Sequence, residues 1–238
     1  MKLSRGWFRH GWTITKQASC LRECYARDMP NAVILANGFP PSRETLTRAL
    51  ARSSLFVCAD GGANVARDFG LTPHAIIGDL DSATTETLAH FIDLPIIRDA
   101  DTERTDTEKA VEWVFQQGTF DVVTLLGASA GRLDHVLGHV SLLRRHHDRA
   151  RLILEDDSGR AWLARGTAAI EGKPGAVVSF FAVGEPAEGV TTDNLRYRLR
   201  DSRLEMGIQD SISNVVERNP ASIRIARGDL LVIELTKT

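Results

Sequence analysis

The chain has 238 residues, of which 43% are hydrophobic and 25% charged, and its formal net charge is −2. That length supports one large core or two modest ones, and the composition excludes disordered and fibrous classes. No apolar run approaches the length of a membrane span and the first 30 residues contain no apolar signal core, so the reading is a cytoplasmic protein without a membrane partner.

Residues 1–30 carry six Lys/Arg against two Asp/Glu, which leaves −6 on the remainder and no basic footprint for nucleic acid. This head holds Trp7, Phe8 and Trp12 among Arg5, Arg9 and His10. It reads as a disordered extension or as upstream sequence, with a membrane-surface or partner-binding arm as the alternative. The three cysteines, Cys20, Cys24 and Cys58, lack a two-pair metal spacing and read as buried thiols.

From residue 32 to about 155, short β-rich runs alternate with helical stretches. Strands are predicted near 32–37, 55–59, 75–78, 95–97, 121–126 and 151–155, and helices near 43–52, 63–69, 84–92, 106–117 and 133–147. The alternation implies crossover units, hence an α/β fold with a mainly parallel sheet covered on both faces. In such sheets ligands bind beyond the carboxyl ends of the strands. After residue 158 the runs are short and broken by Gly, Pro and Asn/Asp, at 161–164, 168–170, 176–181, 197–199, 222–226 and 230–235. They predict a smaller antiparallel β-sandwich. The division is therefore an extension (1–30), an α/β domain (31–157) and a β-rich domain (158–238), with the boundary in Asp156-Asp157-Ser158-Gly159.

Three turns fall at the carboxyl edge of the predicted sheet. In Gly78-Asp79-Leu80-Asp81-Ser82, two carboxylates stand at i, i+2 after the run Ala75-Ile76-Ile77. Carboxylates so close repel unless a cation or proton lies between them, and hard oxygen ligands point to Mg²⁺. A helix cap formed by Asp81 or Ser82 is the plain alternative. Asp60-Gly61-Gly62-Ala63-Asn64 leaves room for backbone N–H groups to face a phosphate at a helix start, although an ordinary strand-to-helix turn explains it equally. Gly131-Arg132-Leu133-Asp134-His135 places an arginine fork at another helix start, with Asp134 to orient it. Between the last two turns, Asp99, Asp101, Glu103, Asp106 and Glu108 put five acids into ten residues, a density that calls for a cation. His135 and His139 have a zinc spacing but lack the glutamate of the metalloprotease motif and a third ligand. Neither a Walker A motif nor a G-x-G-x-x-G fingerprint is present.

In this order the segments D-G-G-x-N, G-D-x-D-S, D-x-E-K-A and G-R-x-D-H, followed by Ser211-Ile212-Ser213-Asn214, resemble the thiamine pyrophosphokinase family from about residue 32 to the C-terminus. The resemblance implies transfer of a pyrophosphoryl group from ATP to the thiamine hydroxyl with release of AMP. It further implies a homodimer in which the α/β part handles ATP and Mg²⁺ and the β-rich part handles thiamine. Carried over by position, Asp79, Asp81 and Asp106 hold Mg²⁺ and phosphate, and Arg132 counters developing charge. Asp60, Gly61, Gly62 and Asn64 are nucleotide contacts, and Asp134 is a polar support. Tyr197, Ser211, Ser213 and Asn214 fall on the acceptor side, where an aromatic face suits a cationic thiazolium. Two departures stand out: His139 where the family commonly has asparagine, and Asp193-Asn194-Leu195 where it has an acid-glycine-leucine turn. A pyrophosphokinase for another hydroxymethyl heterocycle, such as a pterin alcohol, therefore stays open. So does a non-catalytic nucleotide or thiamine sensor, against which the retained aspartates argue.

Overall fold

The computed structural model describes residues 30–129 and 131–236. The expected N-terminal extension, with Trp7, Phe8, Trp12, Cys20 and Cys24, lies outside the described residues. Six strands, β1 (Asn31–Leu35), β2 (Leu55–Ala59), β3 (Ala75–Gly78), β4 (Ile96–Arg98), β5 (Val122–Leu126) and β6 (Arg151–Glu155), alternate with five helices. These are α1 (Arg43–Leu50), α2 (Gly62–Asp68), α3 (Thr85–His90), α4 (Asp106–Gln117) and α5 (Leu133–Arg145). All lie where the alternation of the sequence predicts them, with ends shifted by a few residues.

Period-2 side-chain alternation in β1 supplies two cores at once. Ala32 and Ile34 pack in one cluster with Val111 and Val114 of α4 and Leu142 of α5, whereas Val33 and Leu35 pack in another with Leu46 of α1 and Ala63 of α2. A strand buried on both faces requires this near-continuous apolar run. Three helices start on hydroxyl caps, in which Ser42, Thr84 and Thr105 accept from the N–H groups of Thr45, Thr87 and Glu108. Thr105-Asp106-Thr107-Glu108 also has the spacing of a capping box.

The parallel strands run in the order β6-β5-β1-β2-β3-β4. The chain builds outward from β1 to β4, and α4 then carries it back over the sheet to β5 on the other side of β1. The order thus reverses between β1 and β5, and at such a point the loops diverge and open a crevice beyond the carboxyl ends.

The C-terminal half contains β7 (Gly159–Ala164), β8 (Thr167–Ile170), β9 (Val177–Ala182), β10 (Ala187–Asp193), β11 (Ser202–Leu204), β12 (Ser211–Val215), β13 (Ala221–Arg224) and β14 (Leu230–Leu235). The expected antiparallel sandwich is present, and one of its layers continues the parallel sheet. β7 pairs with β6, and β14, β9 and β12 extend it to ten strands, while β11-β10-β13-β8 form the facing sheet. Trp162, Phe180 and Val232 of the long sheet meet Val190, Leu204 and Ile223 of the short one. Three strands have no clean apolar alternation in the sequence. β10 shifts register around Gly189, β12 shifts around Ser213, whose φ is +57°, and β11 is three residues long. Residues 197–199, predicted as a strand, lie in the connection between β10 and β11. Among the described residues no helix is long and apolar enough to cross a membrane.

Candidate active site

The crevice at the order reversal is a cleft of about 560 Å³, lined by loops that follow β1, β2, β3 and β5 and by the start of α4. Asp60, Asp79, Asp81, Asp106 and Arg132 all line it, so one cleft gathers acidic and glycine turns that are separate in the sequence.

Asp60 is 2% exposed and adopts φ +44° at the end of β2. Its carboxylate accepts from the Ser82 N–H (3.1 Å) and the Ala83 N–H (3.0 Å), which pins the loop after β3 to β2. Gly78 allows this approach. A Cβ there would lie 2.9 Å from Asp60 Cβ and 3.1 Å from Asp106 Oδ1, so any larger residue would push the acids apart. Leu80, at φ +65°, turns the backbone sharply between Asp79 and Asp81. The Asp81 N–H then donates to Asp79 Oδ1 (3.2 Å), and Ser82 Oγ to Asp81 Oδ1 (2.9 Å).

Carboxylate oxygens of Asp60, Asp79 and Asp81 lie within 4.8 Å of one another. Burial raises the pKa of Asp60 above the ordinary carboxylate value, against the lowering effect of its hydrogen bonds. Three hard oxygen donors crowded at the mouth of a cleft fit a divalent cation with water and phosphate completing its shell.

Asp106 belongs to the same cleft but to a different pairing. Its Oδ1 accepts from Lys109 Nζ (2.9 Å) and from the Asp79 N–H (3.2 Å). Lys109 is buried and also donates to the Asp99 carbonyl (2.9 Å). The acid-rich segment proves to carry its own cations. Arg104 bonds Asp99 (3.0 Å) and Asp101 (2.8 Å), and Glu108 pairs with Arg145. Of the five acids, only Asp106 lines the cleft.

The turn after β2 is shaped by packing. A Cβ on Gly61 would lie 2.3 Å from Asn37 Oδ1, and one on Gly62 would lie 2.0 Å from the Leu35 carbonyl oxygen. Only glycines let α2 press so closely on the end of β1. Asn64 donates to the Ser82 carbonyl (2.9 Å) and accepts from the Thr84 N–H (3.0 Å), reinforcing the hold of Asp60 on the same loop. Arg132 is exposed and forms a two-point contact with Asp134, whose pKa it lowers to about 2. His139 is buried, with Nδ1 against the Ala128 carbonyl (2.6 Å) and Nε2 against Thr107 Oγ1 (3.2 Å). Both ring nitrogens are thus engaged in joining α5, α4 and the loop after β5, and burial lowers its pKa. That pairing removes the zinc alternative.

Several cleft residues escaped the sequence reading. Asn37, Gly38 and Phe39 follow β1 at the same sheet edge, where an Asn-Gly pair closing a strand was the available signal. Lys109 was given no role of its own from the sequence, where its i, i+3 spacing from Asp106 was the available signal of their pairing.

The residues expected on the acceptor side lie elsewhere. Asn214 is fully buried; its amide donates to the Tyr197 carbonyl (2.7 Å) and accepts from the Tyr197 N–H (3.0 Å). It therefore fixes the Tyr197 segment against β12 and leaves Tyr197 60% exposed. Ser211 and Ser213 lie on β12 itself, at the edge of the long sheet. Asn194 holds φ +62° and accepts from Arg218 Nε (2.7 Å). It is the non-glycine residue type best suited to that backbone, so the turn keeps a left-handed shape without its glycine.

A family model described as the thiamin pyrophosphokinase catalytic domain matches residues 46–154, and one described as its vitamin B1 binding domain matches residues 168–230. Thiamine pyrophosphokinase 1 of Oryza sativa subsp. japonica is 28% identical over 202 residues, covering 72% of this chain and 75% of that protein. Thiamine pyrophosphokinase of Bacillus subtilis (strain 168) is 23% identical over 209 residues, covering 85% and 97%. The fold is similar to the crystal structure of the Bacillus subtilis protein, with a TM-score of 0.78 at 22% identity over 87% of this chain and 100% of that one. The Geobacillus thermodenitrificans protein gives 0.76 at 26% identity, over 87% and 98%.

Proposed function

The chain belongs to the thiamine pyrophosphokinase family, and from that premise we propose that it transfers the pyrophosphoryl group of ATP to the hydroxyl of thiamine, releasing AMP, in the cytoplasm. The observation that carries this reading is the Asp60, Asp79 and Asp81 cluster within a cleft at the order reversal of the sheet. Asp79 and Asp81, with Asp60 behind them, would hold Mg²⁺, and Asp106 stands beside them on Lys109. A Mg²⁺ held there would supply charge neutralisation at the phosphate oxygens.

The residues of the chain supply position and charge. Asp60 and Asn64 fix the Ser82–Thr84 loop, and through it the aim of Asp79 and Asp81. Arg132, exposed at the rim, exchanges the carboxylate of Asp134 for phosphate oxygens and so counters the charge that develops in transfer. The thiamine oxygen attacks the β-phosphorus while its hydroxyl proton passes to a cleft carboxylate, with Asp106 the proposed acceptor, the bond from that phosphorus to the α-phosphate bridging oxygen breaks, and AMP departs with the electron pair of that bond. Incubation with Mg-ATP and a panel of alcohols tests this reading: AMP together with thiamine diphosphate is expected. AMP with the diphosphate of a different alcohol would correct the acceptor, and no AMP with any alcohol would overturn the reading.

The acceptor side supports a homodimer. Strands β1 and β12 are six inter-strand steps apart in the long sheet, which at about 4.8 Å per step is about 29 Å, more than one bound acceptor spans. In this reading a second copy presents Tyr197 and Ser213 to the carboxylates. Exposed apolar residues lie on both sides, Leu133 and Leu137 on α5, and Tyr197, Met206, Ile208 and Ile212 in the sandwich. Tyr197→Ala and Ser213→Ala are expected to raise the KM for thiamine by about 2- to 30-fold and to leave that for ATP unchanged, since a cation over an aromatic ring contributes roughly 0.5–2 kcal/mol. Mixing Asp79→Asn protein with the Tyr197→Ala/Ser213→Ala double variant should restore about a quarter of wild-type activity at low thiamine, because half of randomly mixed dimers carry one intact site of two. Mixtures no more active than the average of their parents would exclude shared sites.

A further inference from the structure

The turn between β6 and β7, Asp156-Asp157-Ser158-Gly159, reads in the sequence as a boundary between two parts. In the structure its two carboxylates hold two different loops of the cleft. Asp157 accepts from the Ser42 N–H (2.9 Å), Ser42 Oγ (2.6 Å) and Thr45 Oγ1 (2.6 Å), fixing the start of α1 and the end of the loop Asn37–Pro41. Asp156 accepts from Ser129 Oγ in the loop after β5, while its other oxygen accepts from the Ser158 N–H (2.8 Å), Ser158 Oγ (2.6 Å) and the Gly159 N–H (3.0 Å).

The same two loops are joined at their roots. The Gly38 N–H donates to the Gly127 carbonyl (2.8 Å), and a Cβ on Gly127 would lie 2.6 Å from the Ala36 carbonyl oxygen. Each loop is thus held at the strand end by its neighbour and farther out by the β6–β7 turn. Asn37, Gly38 and Phe39 lie between the fixings of one loop, and Gly131 and Arg132 follow closely after Ser129 in the other, all lining the cleft. Burial opposes ionisation of Asp156, yet its hydrogen bonds outweigh that and lower its pKa, so both clamps are ionised at neutral pH.

We propose that Asp156 and Asp157 are positioning residues for the nucleotide, setting the spacing of the two loops that flank the cleft without touching substrate themselves. This rests on the reading that the cleft takes ATP. The lever is geometric, because misplacement of binding groups by about 1 Å can cost up to about 10²-fold.

The test compares Asp156→Ala, Asp157→Ala and Ser129→Ala with wild type, well below their melting temperatures. Each is expected to raise the KM for Mg-ATP by about 5- to 50-fold while that for thiamine changes by less than about 2-fold. The Asp156→Ala/Ser129→Ala double variant should be no worse than its Asp156→Ala parent, since that substitution already removes the bond that Ser129→Ala removes. Asp229→Ala, which removes one of the two carboxylates paired with Arg165 at a site outside the cleft and leaves it Asp148, serves as the control that loses stability with both KM values unchanged. Ser129→Ala removes only one hydroxyl and keeps the test open if an aspartate variant does not fold. An ATP KM within about twofold of wild type in all three, or equal rises for both substrates, would overturn the proposal. Hydrogen exchange separates its failure from that of the function itself. Loss of the clamps accelerates exchange in residues 37–42 or 127–132 whether or not the protein turns over ATP, whereas a wild-type protein that releases no AMP overturns the functional reading on which the proposal rests.

Discussion

Asp79→Asn and Asp81→Asn are each expected to lower turnover with Mg-ATP and thiamine by at least about 10²-fold, the scale of losing one transition-state electrostatic contact. Neither substitution should unfold the protein. With Asp60 they form a group whose oxygens lie within 4.8 Å of one another, so their like charges repel when no cation is bound. Removing one charge relieves that repulsion, so in EDTA the melting temperature of each variant should equal or exceed that of wild type. Mg²⁺ should then raise the melting temperature of wild type but not of the variants, because a ligand stabilises only the state that binds it. Turnover and calorimetry with and without Mg²⁺ check both halves. Undiminished turnover in either variant, or full wild-type activity in EDTA, would remove the aspartates from the mechanism.

Lys109→Met should have the largest effect on stability. The ammonium lies 2.9 Å from Asp106 Oδ1 and 2.9 Å from the Asp99 carbonyl, and the lysine side chain is only 2% exposed. Breaking a fully buried pair costs about 3–5 kcal/mol, and water reaching the 28% exposed Asp106 reduces that to roughly 2–4 kcal/mol. For a chain of this size the loss is about 5–12 °C in Tm. The double variant Lys109→Met/Asp106→Asn should recover most of it, since no buried charge is then left unpaired, while activity stays low. Chemical denaturation of the four proteins measures the cycle. A loss below about 0.5 kcal/mol, or a double variant as unstable as the single one, would show that the pair is of no consequence.

Much of the first half of the fold was legible because its signals are local. Ala32 to Leu35 must be buried on two faces, Thr105-x-x-Glu108 must start a helix, and Gly78-Asp79-x-Asp81 must turn at a strand end. The β-rich half was harder to read. β10 contains Gly189 and few apolar residues, and β12 turns at Ser213, so period 2 is broken in both. Asp156-Asp157-Ser158-Gly159 has the composition of a linker. Its carboxylates are nevertheless engaged with Ser129, Ser42 and Thr45, 27 to 115 positions away in the chain.

By itself the sequence determined the element types, the parallel character of the sheet and the edge at which the acids gather, since each depends on neighbours within a few residues. The segment order from Asp60 to Asn214 likewise carried the family. Only the tertiary structure decided which acids meet. β2 and β3 are adjacent in the sheet, so Asp60 stands beside Asp79 and Asp81, whereas Asp106, which reads as their partner, turns to the buried Lys109. It also decided that the parallel sheet and one sandwich layer are continuous, and that Tyr197 and Ser213 stand far from the carboxylates of their own chain. Strand order and the pairing of buried charges are set by contacts between residues distant along the chain, and no local period encodes them.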